Sequence, residues 1–263
     1  MHQQLADWES NLLVPAPQEQ VLPGVPWGRH DTLFTPAYWK SQCWLHRFGM
    51  RGRSHRIGTT LAEETAACLL GGHGMPSEVG LAAFQHLRKR DLLIPDQGTS
   101  ASELAQALSE PLRLGTRVVR YRFPRARAAY VAAALHHIRW THPADDSDTG
   151  FRAWLLKIKG VGLKTASWIT RNWLGSSSVA ILDIHVYRAG LIAGFFNRHQ
   201  TVQSHYLILE NAFLQFCGAL GEDAAHLDAI IWRQMKECGE LGRRALPDPL
   251  KPSPCSSRLR RAA

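Results

Sequence analysis

Two charged side chains nineteen residues apart, Lys164 and Asp183, stand in the stretch Trp154–Gly190, which reads WLLKIKGVGLKTASWITRNWLGSSSVAILDIHVYRAG. Their surroundings decide what an amine and a carboxylate can do there. Ahead of the lysine, Trp154, Leu155 and Ile158 have the spacing of one buried helix face. Gly160-Val161-Gly162 then interrupts the helix, with two residues suited to positive φ. Helical periodicity resumes over Leu163–Trp173, with Ala166, Ile169, Thr170 and Trp173 on one stripe. Such a turn leaves several backbone N–H groups unpaired at the positive end of a helix dipole, a ready phosphate site. The spacing predicts a helix-hairpin-helix that grips a DNA backbone without reading its sequence. Gly160, Val161, Gly162, Lys159 and Thr165 are the expected contacts. An αα-hairpin that binds nothing is the alternative. Lys164 alone fits a phosphate ligand as well as a nucleophile. Beyond it come a loop at Gly175–Ser178, a short apolar run at Val179–Leu182, and Asp183, placed to cap a helix over Ile184–Ala193.

The pattern GVGxKTA followed by (V/I)xDxHVxR resembles the DNA glycosylase superfamily that joins a helix-hairpin-helix to a Gly/Pro-rich loop and a catalytic aspartate. Endonuclease III, the mispair adenine glycosylase and the 8-oxoguanine glycosylases belong to that superfamily. Members that also cleave the backbone share the lysine. The nineteen-residue gap is closer to the 8-oxoguanine branch than to endonuclease III. By this resemblance Lys164 and Asp183 are the catalytic pair. His73, in CLLGGHGMPSEVG, matches the position that fills the gap left by a flipped nucleotide, with Met75 as a second wedge candidate. Asp228 and Trp232, four apart in LDAIIWRQMK, match a C-terminal helix that lines the base pocket in archaeal-type 8-oxoguanine glycosylases. A large π face suits a flipped purine.

The chemistry of the pair can be derived beside the resemblance. Breaking an N-glycosidic bond builds positive charge on the sugar, and a fixed carboxylate stabilises that transition state. Asp183 would supply this charge and orient or deprotonate the nucleophile. Lys164 would attack C1′ as a neutral amine, which the first turn of a helix and a desolvated cleft favour. The resulting Schiff base permits β-elimination, which cuts the strand 3′ to the lesion. Capping a helix and stabilising a sugar cation are compatible tasks for Asp183.

Composition agrees with a polyanionic partner. The chain has 263 residues, 31 basic against 22 acidic, a net charge of +9 and 45% hydrophobic content, enough for one large core or two small ones. In so lysine-poor a chain, Lys157, Lys159 and Lys164 form a local concentration. Cysteines at 43, 68, 217, 238 and 255 show no CxxC spacing, so neither a zinc site nor a disulfide framework is indicated. The four clustered cysteines that hold an iron–sulfur cluster in endonuclease III are missing. No cofactor is expected beyond a monovalent or divalent cation at the hairpin carbonyls. No apolar run has the length of a membrane span or a signal-peptide core, which fits a monomeric, cytoplasmic, nucleoid-associated protein.

The remaining elements must position the pair. Residues 1–36 are proline-rich and predict extended chain, and Thr35-Pro36 opens a helix. Arg47, Arg51, Arg53 and Arg56 crowd one loop, either phosphate-facing or solvated. Helices are predicted over Thr60–Leu70, over Ser77–Arg90 with Val79, Ala83, Phe84 and Leu87 inward, and after a Ser100–Glu103 capping box. Six arginines lie between Leu112 and Arg127; most should be solvated, with one or two on phosphate. Pro124 starts a long helix with Val131, Ala134, Leu135 and Ile138 inward, and Asp145–Asp148 is an acidic loop leading to the hairpin. Further helices span Ser204–Phe216 and Asp223–Cys238.

The expected fold is all-α, with two helical subdomains and a DNA cleft between them. The resemblance implies a six-helix bundle over 55–177, a second subdomain of 1–54 plus 178–242, and a disordered basic tail over 243–263. The expected activity is excision of a damaged or modified base from double-stranded DNA, 8-oxoguanine first, with associated strand cleavage. Three alternatives stand: another modified base, including a hypermodified phage base; a monofunctional glycosylase in which Lys164 only binds; and a non-catalytic helix-hairpin-helix module.

Overall fold

A computed structural model describes residues 15–50, 55–72 and 74–247, in two compact units: residues 1–53 with 180–263, and residues 54–179. In chain order the first unit opens with a small antiparallel pair, β1 (Gln20–Leu22) and β2 (Val25–Pro26), then helix α1 (Pro36–Met50). The second unit holds α2 (Leu61–Leu70), α3 (Ser77–Arg88), a short 3-10 turn at Pro95–Gln97, α4 (Ala101–Ser109), β3 (Pro111–Leu114) and β4 (Arg117–Arg120). It continues with α5 (Pro124–Trp140), α6 (Asp148–Leu155) and α7 (Leu163–Leu174). The chain then returns to the first unit with α8 (Ile184–Ala193), α9 (Val202–Leu220), α10 (Ala224–Glu237) and α11 (Gly239–Arg244). Among the described residues no helix is long and apolar enough to cross a membrane.

Local chemistry sets most helix starts. The side chains of Thr60, Ser100, Ser147 and Asp223 each accept a hydrogen bond from a first-turn amide, and Ser100 with Glu103 forms the reciprocal capping box. Each such cap contributes about 1 kcal/mol. In the second unit Phe84, Leu87, Leu104, Leu108, Leu155 and Ile169 are fully buried, each stabilising the fold by roughly 1.5–3 kcal/mol. In the first unit Trp39, Phe213 and Phe216 are fully buried, with Phe195 stacked 4.0 Å from Phe216.

Several expectations need correction. The proline-rich segment is not simply extended, because Pro23-Gly24 turns the chain between β1 and β2. The arginine run after Leu112 forms an antiparallel β-hairpin, with Leu112 opposite Val119 and Arg113 opposite Val118. Met75 is buried in the second unit's core and cannot act as a wedge. Helix α9 begins at Val202 and carries a non-helical residue at His205. Arg243 and Arg244 end α11 rather than beginning an irregular tail; residues 248–263 lie outside the described residues. His73, Arg51 and Arg53 also lie outside them. Of the other arginines expected in that loop, Arg47 lies instead in the last turns of α1 and faces Glu222 at 3.8 Å, and Arg56 lies 4.1 Å over the Trp173 ring and donates to the Trp173 carbonyl.

Candidate active site

The helix-hairpin-helix is α6, the Gly160–Gly162 turn and α7, and the two glycines have different jobs. Gly160 has φ +87°, and a Cβ there would fall 2.4 Å from the Tyr130 ring on α5. Both facts require glycine. Gly162 departs from expectation: its φ is −99°, ordinary extended backbone, and a Cβ there would meet nothing within 4 Å. Among the described residues nothing demands glycine at that position. Gly162 is nevertheless the N-cap of α7, and among the described residues no side chain caps the helix. The amides of Leu163, Lys164 and Thr165 therefore lack both an intrahelical partner and a side-chain one. A bare N-cap lets an external phosphate approach the backbone where Ser or Asp would occupy those amides itself. Val161 is buried under the turn, its amide bonded to the Ile158 carbonyl at 3.1 Å, and Lys159 is exposed beside it.

Lys164 is the second residue of α7, half-buried, and its ammonium makes no ion pair among the described residues. The helix that carries it is anchored by polar groups hidden from water. Glu64, fully buried on α2, accepts from the amides of Ile57 (2.6 Å) and Gly58 (2.8 Å) and from Asn172 Nδ2 (2.7 Å). Arg171 Nε donates to Asn172 Oδ1 at 3.1 Å. A buried carboxylate without such donors would be costly, so the network fixes α7 against α2. At the far end of α7, buried Ser176 donates to Asp148 Oδ2 at 2.5 Å, so the acidic loop also fastens the chain after the helix. Sequence reasoning missed this network, since Glu64 sits in a helix's first turn, where acidic residues ordinarily face water.

Asp183 is held differently. It is the N-cap of α8, and its Oδ1 accepts from the amides of His185 (2.8 Å) and Val186 (2.9 Å). Its Oδ2 takes no hydrogen bond among the described residues, and the side chain is half-buried. One oxygen serves the helix and the other stays available. The strand-like segment before it, Val179–Leu182, is buried and clamped by α9. The Tyr206 hydroxyl donates to the Ala180 carbonyl (2.7 Å) and accepts from the Leu182 amide (3.3 Å), while Glu210 accepts from the Ala180 amide (2.9 Å). Tyr206 and Glu210 are one helical turn apart, so a single face of α9 fixes the backbone that leads to Asp183. The sequence carried only a faint signal for this clamp, a Tyr and a Glu at i and i+4.

The base-pocket candidates share the first unit with Asp183. Asp228 is buried on α10, and Trp232 is 38% exposed rather than core. The His185 ring meets Trp232 edge-on at 6.4 Å, and the Lys236 ammonium lies 4.8 Å from the centre of its ring. In the second unit, Tyr121 closes the segment before the gap-filling candidate by donating to the Leu70 carbonyl at 2.6 Å. Burial pushes its phenol up to about 12.

These features define a helix-hairpin-helix fold with an amine and a carboxylate each set at a helix start. Comparison with known proteins then gives the family. A family model described as 8-oxoguanine DNA glycosylase matches residues 54–222, and the chain belongs to that family. It is 32% identical over 121 residues to an 8-oxoguanine DNA glycosylase/AP lyase of Metallosphaera sedula, covering 43% of this chain and 57% of that protein. It is 32% identical over 136 residues to a protein of the same name in Saccharolobus solfataricus, covering 48% and 65%. The matches thus span less than two thirds of either relative. Among solved structures, the 8-oxoguanine DNA glycosylase of Methanocaldococcus jannaschii is similar in fold, with a TM-score of 0.61, 21% identity, and coverage of 80% of this chain and 98% of that one. The glycosylase/lyase of the same organism, in complex with a 15mer DNA containing 8-oxoguanine, gives a TM-score of 0.54 at 22% identity, covering 76% of this chain and 90% of that one.

Proposed function

We propose that this protein flips 8-oxoguanine out of double-stranded DNA, excises it and cleaves the strand through a Schiff base on Lys164. The reading is carried by the division of labour at Asp183, whose Oδ1 caps α8 while Oδ2 is left for the substrate. The family and the names of the relatives from Metallosphaera sedula and Saccharolobus solfataricus support it. The open first-turn amides of α7, with Lys159 and Thr165, hold backbone phosphate. Flipping exposes the glycosidic bond, with His73 filling the gap and Trp232 and Asp228 receiving the base.

Chemistry then proceeds in two stages. As the bond from C1′ to the base breaks, the Asp183 carboxylate stabilises the developing sugar cation. The neutral Lys164 amine bonds to C1′, the base departs with the bonding pair, and loss of a proton and opening of the sugar ring give the imine. Removal of a C2′ proton expels the 3′ phosphate, cutting the strand, and water later hydrolyses the imine to free the lysine.

A lesion panel of duplexes tests the base. Release of free 8-oxoguanine ahead of other oxidised or alkylated bases is the expected result. Release of none of them, with duplex binding retained, would leave only a DNA-binding module.

A further inference from the structure

We propose that the β3–β4 hairpin is a second phosphate-binding arm, whose outer-face arginines Arg113 and Arg120 hold the DNA backbone outside the helix-hairpin-helix. The inference rests on the reading that duplex DNA is the partner. Its starting point is register. Leu112 opposite Val119 points one face of the hairpin into the core, where Leu112 is 2% exposed and Val119 packs on the same cluster. The other face carries Arg113, opposite Val118, and Arg120, opposite Pro111. Both arginines are exposed, and Val118 between them is 64% exposed.

Charge on this face is uncompensated. From Pro111 to Ala128 the sequence has no acidic residue. The carboxylate next to the hairpin, Glu110, is already engaged by Arg90 at 2.6 and 2.5 Å and faced by His86 at 3.5 Å. Arg113 and Arg120 make no ion pair among the described residues. They are diagonal cross-strand neighbours, about 7–8 Å apart in such pairs, where like charges repel. That spacing is comparable to the distance between successive phosphates on one strand. A solvated basic loop would have no need to arrange its guanidiniums on a rigid ribbon held by a two-residue Gly115-Thr116 connection. A β-ribbon displaying them is preorganised for a regular array of anions.

The arm is also continuous with the basic start of α5. After β4, the Arg122 guanidinium donates to the Gly74 carbonyl at 3.4 Å, next to the gap-filling candidate. Arg125 is exposed in the first turn of α5, and Arg127 lies 6.0 Å from the centre of Tyr130, the ring that packs under Gly160 of the helix-hairpin-helix. Basic positions therefore run from the hairpin along the start of α5 to the turn that binds backbone.

The test measures the affinity of the full chain for an undamaged duplex across a salt series, for the wild type and for Arg113→Gln/Arg120→Gln. Each phosphate contact contributes about 0.9 to the slope of log K against log salt, so the double variant should lower the slope by roughly 2. Its melting temperature and its 8-oxoguanine release at saturating enzyme should match wild type. Arg139→Gln, whose guanidinium lies 3.3 Å from Asp96, should leave the slope unchanged. An unchanged slope in the double variant, or an equal loss in Arg139→Gln, overturns the arm. If the wild type releases no 8-oxoguanine but the slope falls as stated, the arm stands and the excision reading fails.

Discussion

The starts of α7 and α8 pose one physical problem and answer it in opposite ways. Both helices begin with orphan amides at the positive end of a dipole. At α8 the chain fills them itself, with Asp183 Oδ1 accepting from His185 and Val186. At α7 the N-cap is Gly162, which among the described residues has no steric or conformational reason to be glycine, and no described side chain fills the amides. The same local structure thus presents a fixed negative charge in one unit and a vacancy for an external negative charge in the other. What differs is one N-cap side chain, and in the proposed function that difference separates a group that would act on the sugar from a surface that would take phosphate.

The largest effect comes from breaking the first half of this contrast. Asp183→Asn keeps a good N-cap, since Asn and Asp cap about equally well, while removing the charge. Base release should fall by about a thousandfold or more, with melting temperature and duplex affinity close to wild type. Retained base release in a folded variant would reduce Asp183 to a cap.

Next comes the reverse exchange. Gly162→Asp gives α7 the cap that α8 already has. Thermal stability should stay level or rise by a few tenths of a kcal/mol, while duplex affinity falls by about 10- to 100-fold as the carboxylate occupies the amides and repels phosphate. Gly162→Ala sharpens the comparison: a Cβ meets no described residue within 4 Å, so the fold should be unaffected and only DNA affinity should drop. A destabilised Gly162→Ala with normal affinity would assign this glycine to the fold instead.

The smallest effect concerns the scaffold of the second unit. Tyr121→Phe removes the bond to the Leu70 carbonyl and should cost about 1 kcal/mol at neutral pH. The folded phenol is raised to about 12 from its ordinary value of 10, so its contribution is complete below pH 10 and is lost as pH rises toward 12. Alkaline denaturation should therefore narrow the gap between variant and wild type over that window. A gap independent of pH would mean Tyr121 titrates normally.

How far the sequence revealed this arrangement depended on the range of the interaction. Caps at Ser100 and Asp183 were legible because each pairs a side chain with an amide two or three residues away, whereas Thr60 and Asp223 were read only as helix starts and prove to be caps as well. The hairpin turn was legible as a break, but positive φ belongs to Gly160 alone, and only tertiary contact with Tyr130 shows why. The β3–β4 hairpin was overlooked because only its first strand alternates, Leu112 and Leu114 flanking Arg113; in the second strand Arg117 shares the face of Leu114 and Val118 the face of Arg113, which breaks the period of two. Glu64 with Asn172, and Tyr206 with Ala180 and Leu182, were not legible, because each network joins segments that meet only through folding. The side chains named for chemistry lie in the local motif, and the groups that hold them in place lie far away in the chain.

The most direct test is borohydride reduction of the protein acting on a duplex containing 8-oxoguanine, followed by peptide mapping of any covalent adduct. The account predicts one adduct, located on Lys164 and absent in Lys164→Gln, with strand cleavage lost in the same variant. An adduct on another residue, or cleavage undiminished in Lys164→Gln, would contradict it.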